Sequence, residues 1–359
     1  MISFMRKALL FIALFFLTIE IFAQYRTERY DTSYYMSYRN KLTLGAVAIK
    51  KSTVFKTGAT DADHALRFRP NSPGRIGISV AHDFVGLSAT FGVNGLDPSY
   101  SENKGKTRQT NLQMSITGRK VLADIYFQKY KGLYLNTDPI AGITSAGNKY
   151  YTRPDIETAL YGTTVNLIRN SRKFSAQAAF LLDAWQKKSA GSLLYGGEFF
   201  YGSAKGDSAF IPPALADTYP HADVSKISFI TFGPGLGYGY TLVLNKHFFI
   251  TGMASINADV SRIKEWSKAS GPNSFWKFNP NLKAKGAIGY NTENWGIALS
   301  YVSNRLFFTG IDTDSRYLNY NDNYKLMYTR RINAGKTIPK ITGFAGRVIN
   351  AVGLGFLIN

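Results

Sequence analysis

The 359-residue chain contains no cysteine. That excludes a disulfide framework, a thiolate metal site and a cysteine-linked acyl anchor. Past residue 23 no stretch holds the eighteen or so continuous apolar residues that a membrane-spanning helix needs. Acidic residues are scarce, 23 Asp and Glu against 43 Lys and Arg, and the formal net charge of +20 suits an anionic surface. A dinucleotide loop is missing too. The stretch TFGPGLGYGYTL (residues 231–242) is dense in glycine, but Gly233, Gly235, Gly237 and Gly239 fall at every second position, with Phe232, Leu236, Tyr238, Tyr240 and Leu242 in the alternate series. This is the period of a strand, and no capped helix follows to face a phosphate.

What is present begins with MISFMRKALLFIALFFLTIEIFAQ, where Arg6 and Lys7 precede an apolar run over residues 8–18 and Ala23 offers a small residue for cleavage. Residues 1–23 are expected to be a secretory signal peptide. Residues 24–40 form an aromatic-rich segment, YDTSYYMSYRN at its end, that either docks inside the barrel as a short plug or lies at the periplasmic interface. No linker or shift of composition divides residues 41–359. Export makes lipid and lipopolysaccharide the expected anionic partners, and no nucleic acid.

One pattern recurs along this remaining length. Ile76, Ile78 and Val80 share a face opposite Gly77, Ser79 and Ala81, and after His82 a second strand sets Leu87, Ala89 and Phe91 against Gly86, Ser88 and Thr90. Asp124, Tyr126, Gln128 and Tyr130 oppose Ala123, Ile125 and Phe127. A hairpin is expected at residues 169–173, with Phe174, Ala176, Ala178, Phe180 and Leu182 on one face of its second strand, followed by Leu193, Tyr195, Phe199 and Tyr201 opposite Glu198. Leu282, Ala284, Ile288 and Tyr290 oppose Lys283 and Lys285, then Trp295, Ile297 and Leu299 oppose Gly296, Ala298 and Ser300. Val352, Leu354, Phe356 and Ile358 close the series. One face is large and apolar; the other is glycine, hydroxyl or charge. Short turns near His82, Gly118, Asn170, Asn245 and Thr292 alternate with longer loops at residues 94–106, 131–155 and 259–280.

These features predict an all-β transmembrane antiparallel barrel of about twelve strands, ten to fourteen, with short periplasmic turns and longer extracellular loops. Closure gives every backbone group in the bilayer a partner. Residues 204–226, with the pair Pro212 and Pro213, disturb the count. An even number requires either a short strand near residues 207–211 or the loss of one near 320–330.

DIYFQKYKGLYL (residues 124–135), RPDIETALYG (153–162) and KFSAQAAFLLDAWQKKSAGSLLYGG (173–197) resemble an uncharacterised family of outer-membrane β-barrel proteins from the Bacteroidota. Lys188, Ser189, Ala190, Gly191 and Ser192 form the most specific part of the resemblance. It implies the barrel, its place in the cell outer membrane and the barrel-assembly machinery as a partner, and it assigns no reaction. Barrels of this kind often finish on an aromatic residue; this chain finishes on Asn359, with Phe356 three residues earlier.

Catalysis would require a nucleophile, base and acid to converge. His64, His82, His221 and His247 have no serine and acid at a familiar spacing, and no His or carboxylate cluster has metal-ligand spacing, so the expectation is a non-enzyme without cofactor or metal. The candidate functional groups are charges on the inward faces: Asp124, Asp183 and Glu198 against Lys187, Lys283 and Lys285. They either line a permeation path or pair as a network that fills the barrel. Residues 186–192 read as a ligand-binding turn or as a tight inward bend. The expected role is a passive pore or a structural component of the envelope, with a lipid-modifying enzyme or a soluble secreted β-sandwich as alternatives.

Overall fold

The computed structural model describes residues 30–333 apart from 39, 59–64, 83–84, 98, 137–149, 220 and 312–315. The signal peptide and the strand expected at 352–358 lie outside the described residues. In chain order the elements are β1 (Tyr35–Ser37), β2 (Lys41–Thr57), β3 (Leu66–Arg69), β4 (Gly74–His82), β5 (Val85–Val93), β6 (Arg108–Thr117), β7 (Val121–Asn136) and β8 (Tyr150–Ile168). A one-turn helix α1 (Ala176–Phe180) and β9 (Ala184–Gln186) follow. Then come β10 (Ala190–Lys205), β11 (Val224–Leu244), β12 (Phe248–Ser267), β13 (Gly271–Asn291), β14 (Trp295–Thr309) and β15 (Arg316–Asn333).

The sheet closes on itself. From β7 the ladders run antiparallel through β8, β10, β11, β12, β13, β14 and β15, and β15 pairs with β2 from Leu318↔Lys56 to Asn333↔Lys41. At the long-loop rim β3 bridges β2 and β7, through Phe55↔Phe68 on one side and Phe68↔Leu135 on the other, and completes a ring of ten strands. Towards the short-turn rim the same part of the wall is built from β4, β5 and β6: β4 pairs with β2, β5 with β4, and β6 with β7. Among the described residues no ladder joins β5 to β6. That seam is the single interruption in the ladders at this rim among the described residues.

Side-chain alternation follows from the two solvents. In β12 exposed and buried residues alternate along the strand, because one face meets surroundings that accept apolar groups and the other meets the lumen. Leu236 in β11 is 60% exposed. Its neighbours Gly235 and Gly237 turn inward. The strands β11 and β13, 21 residues each, are about twice the length needed to span a bilayer, so their ends stand beyond it.

The structure corrects two expectations. The long loop expected at residues 259–280 is strand on both sides of a short turn, since β12 runs to Ser267 and β13 begins at Gly271. Residues 174–182 are not a barrel strand but α1 and the turns around it, lying inside the ring. Ala176–Phe180 are all buried, Ser175 caps the turn by accepting from the Ala178 amide at 3.4 Å, and Leu182 is left-handed at φ 56°. The apolar alternation in FSAQAAFLL was real, yet its residues are buried on every side and its alanines favour a helix over a strand. No strand forms at residues 207–211, and the late strand is present as β15.

Candidate functional site

The candidate site is the lumen, and it is assembled from three layers. The middle layer is a polar belt. Glu198 on β10 has a fully buried side chain and meets Lys283 Nζ on β13 at 2.7 Å. Its two oxygens also accept from Asn257 Nδ2 at 3.0 Å and Asn281 Nδ2 at 2.9 Å. Asn281 donates as well to Asp259 Oδ2 at 2.9 Å, which accepts in addition from Thr231 Oγ1 at 2.9 Å. Nearby, Asp124 on β7 takes Lys285 Nζ at 2.6 Å and the Ser115 hydroxyl at 2.6 Å. Charges taken out of water persist only with partners of this kind.

The glycines of β11 make room for that belt. A Cβ on Gly235 would collide with the Asn257 side-chain oxygen, and one on Gly233 with the Ala258 carbonyl and the Asp259 carboxylate. At Gly239 it would press on Met253 at 2.9 Å and on Phe174 at 3.2 Å. The alternate glycines therefore buy space for polar side chains on β12 and for the inward segment behind β8.

The second layer plugs the short-turn rim. After β8 the chain turns inward through α1 and β9, and β1 pairs with β9 in a two-stranded sheet: Tyr35↔Gln186, Met36↔Trp185 and Ser37↔Ala184. Tyr35 is buried and its hydroxyl donates to the Ser171 carbonyl at 2.9 Å. The Gln186 amide accepts from Ser175 N at 2.9 Å and donates to Lys173 O at 2.6 Å and Lys188 O at 3.0 Å, tying the segment to itself. The wall holds it by Arg331 on β15, which donates to the Leu182 carbonyl, to Thr292 O at 2.6 Å and to Asn291 Oδ1 at 2.7 Å. Lys325 donates to Phe180 O at 3.0 Å, and Asn291 Nδ2 to Ala184 O at 2.8 Å. Phe174, Phe180 and Leu182 pack against Val47, Leu122, Phe249 and Met327 from opposite sides of the ring.

The third layer caps the long-loop rim. Between β10 and β11 the chain folds inward, and Phe210, Ile211, Leu215 and Tyr219 join a core with Phe55, Phe68, Phe200, Phe229 and Phe308. Arg153 fixes this turn, forked onto Asp155 at 2.8 Å through both Nε and Nη2 and donating from Nη1 to the Ala209 carbonyl at 2.8 Å. Pro212 and Pro213, which hid the segment from any strand reading, open a 3-10 turn here. Between cap and plug, one void bordered by Lys51, Thr53, Gln113, Tyr126, Gln128 and Asn321 leaves room for about 10 Å³, no more than a water.

Of the six charges singled out from sequence, the structure brings Asp124, Glu198, Lys283 and Lys285 into the belt. Asp183 and Lys187 stand elsewhere, in the plug: Asp183 O accepts from Tyr38 N at 3.0 Å and Lys187 N donates to Tyr34 O at 2.7 Å. Asp259, Asn257 and Asn281 were missed, although Asn281 alternates on the face of Lys283 and Lys285, and Asn257 and Asp259 share the inward face of β12. Lys188 to Ser192 lead from the plug into β10. Ser189 Oγ accepts from Val243 N at 2.9 Å, Ser192 Oγ from Asn170 N at 2.8 Å, and the Gly191 carbonyl from Asn170 Nδ2 at 2.8 Å, while Ala190 is buried. Among the described residues no three His, Asp or Glu side chains gather as a metal site.

A family model described as a domain of unknown function, DUF4421, matches residues 29–335, and the chain belongs to that family. No curated protein matches it. Among solved structures it is similar to the outer-membrane protease OmpT from Escherichia coli, at 11% identity over 82% of this chain and 98% of that one, with a TM-score of 0.38. The translocator domain of the autotransporter NalP from Neisseria meningitidis shows 9% identity over 81% and 88%, TM-score 0.33. The Pseudomonas putida toluene transporter TodX shows 10% over 82% and 91%, TM-score 0.27. These are outer-membrane β-barrels. The expectation of a non-enzyme is corrected to this extent: an outer-membrane protease stands among the solved structures to which the chain is similar.

Proposed function

We propose that this member of the DUF4421 family is a structural β-barrel of the outer membrane that stands closed, its lumen filled by its own chain. One observation carries the reading: Glu198 pairs with Lys283 and Asp124 with Lys285 across the middle of the lumen, and apolar inward segments fill the ring at both rims. An open passive pore needs a continuous watery path, and the paired charges and inward segments support a lumen filled by side chains instead. The exposed band that includes Leu236, Ile256, Phe278 and Leu299 meets outer-membrane lipid, the short turns face the periplasm, and the long loops meet lipopolysaccharide. Residues 1–23 serve as the cleaved export signal, and the barrel-assembly machinery inserts the chain. The test is reconstitution in planar bilayers. A heat-modifiable, folded barrel with no steady ionic current is expected, whereas stable porin-like current steps from the unmodified chain would overturn the reading.

A further inference from the structure

Cations crowd the outer face of the plug. Arg172 and Lys173 follow β8, Lys187 and Lys188 precede β10, and both pairs converge on β1. The Arg172 carbonyl accepts from Asp31 N at 2.9 Å, and Lys187 N and Lys188 N donate to the Tyr34 carbonyl at 2.7 and 3.2 Å. The Lys173 and Lys188 ammonium groups stand over the Tyr34 ring at 4.9 and 5.5 Å. Arg172, Lys173 and Lys188 are exposed. Asp31 is a carboxylate within this group: one of its oxygens accepts from the Ser33 amide at 2.9 Å, and its charge offsets part of that of Lys173 and Lys188, leaving the group cationic. Nothing in the ring's interior requires these cations, since the segment is already held by Gln186, Arg331 and its apolar core. Between them β1 and β9 present Met36, 37% exposed, beside half-buried Trp185.

We propose that this face docks an extended acidic peptide segment of another protein, its carboxylates meeting Lys173, Lys187 and Lys188 and its apolar side chains meeting Met36 and Trp185. The mixture of charge and apolar surface selects this partner. A bare polyanion would leave Met36 and Trp185 uncovered, and a lipid surface lies around the ring, whereas β1 and β9 are set within its mouth. Clustered lysines give the face a potential complementary to a carboxylate-bearing segment, and the apolar side chains beside them add contact area. The docking holds whether or not the barrel conducts, so its failure and that of the closed-lumen reading are separate results.

Fluorescence anisotropy tests it with the full barrel in neutral detergent and a labelled peptide alternating Glu with Val. Saturable binding is expected, weakening roughly tenfold from low to physiological salt. Lys173→Gln with Lys188→Gln should weaken it about tenfold. Lys264→Gln with Lys268→Gln, at the other rim, should leave it unchanged, and heat-modifiability confirms that each variant is folded. Met36→Ser should weaken the Glu-Val peptide and spare poly-glutamate. Equal binding of a Lys-Val peptide, no loss in the Lys173 and Lys188 variant, or capture only by phosphatidylglycerol vesicles would each overturn the proposal.

Discussion

At the scale of single residues, the Glu198 and Lys283 pair gives the most direct measurement of what the belt contributes. Each group is buried and each depends on the other, so Lys283→Met alone leaves a carboxylate in a site without a counter-charge. A loss of about 3–5 kcal/mol is expected in urea unfolding followed by tryptophan fluorescence. The double change Glu198→Gln with Lys283→Met should cost clearly less than the sum of the singles, because it leaves no charge stranded. Strict additivity would mean that the two do not act as a pair. On the opposite face, Leu236→Arg should lose about 2–4 kcal/mol if its position is near the bilayer midplane. Because the chain has no native cysteine, single cysteines at Leu236 and Gly237 can be challenged with lipid-soluble and water-soluble maleimides, and equal reactivity at both would sink the two-faced strand. Which face each of these residues occupies was legible in the sequence, since period two assigns faces without reference to the rest of the chain. The partners were not: Glu198 meets Lys283 because the curved wall brings the inner faces of β10 and β13 together across β11 and β12, and alternation carries no information on that.

At the scale of elements, long strands were legible and inward segments were not. β11 to β14 have two solvents to satisfy and advertise both, whereas α1 has protein on all sides and β9 is only three residues long, so neither shows the alternation that would mark where the wall ends. The seam between β5 and β6 was equally invisible, because both strands carry ordinary alternation. Strands that lack a ladder on one edge open more readily. Amide exchange in detergent is therefore expected to be faster in β5 and β6 than in β12 and β13; uniform protection would show that the seam is paired in solution. The loop between these two strands is pinned by Asp97, whose carboxylate accepts from Lys50 Nζ at 2.7 Å and from Ser99 Oγ at 2.6 Å. Burial alone would raise the Asp97 carboxyl, but these hydrogen bonds outweigh it and hold it below the usual carboxylate range. A carboxyl depressed in the folded state contributes stability that is fully present above its unfolded pKa of ~3.9 and is lost as pH falls through the lower folded value. A fluorophore on Asn94→Cys should thus stay immobile down to about pH 4 and loosen only below it, while Asp97→Asn should loosen it at every pH. An unchanged signal in Asp97→Asn would remove the pin.

At the scale of the whole molecule, plug and cap act as two seals in series, and that arrangement predicts how the barrel can be opened. Arg331 anchors the plug to β15 through the Leu182 carbonyl, and Arg153 anchors the cap to β8 through the Ala209 carbonyl. Releasing one seal leaves the other across the path. Arg331→Ala and Arg153→Ala should therefore each remain non-conducting in planar bilayers, while the double variant should give frequent, flickering current steps. The belt then sets the selectivity. Lys51 and Lys325 join Lys283 and Lys285 inside the ring against Asp124, Glu198 and Asp259, and the first two lean on neutral partners, the Asn111 side chain and the Phe180 carbonyl. Among the described residues those two lysines have no acid beside them, and they favour anions, so the reversal potential of the double variant in a chloride gradient should shift towards the chloride value. Lys51→Gln with Lys325→Gln in the same background should reduce the shift without reducing the frequency of steps. Conductance from either single variant would show that one seal does not close the ring, and cation preference in the double variant would show that the belt does not line the path that opens.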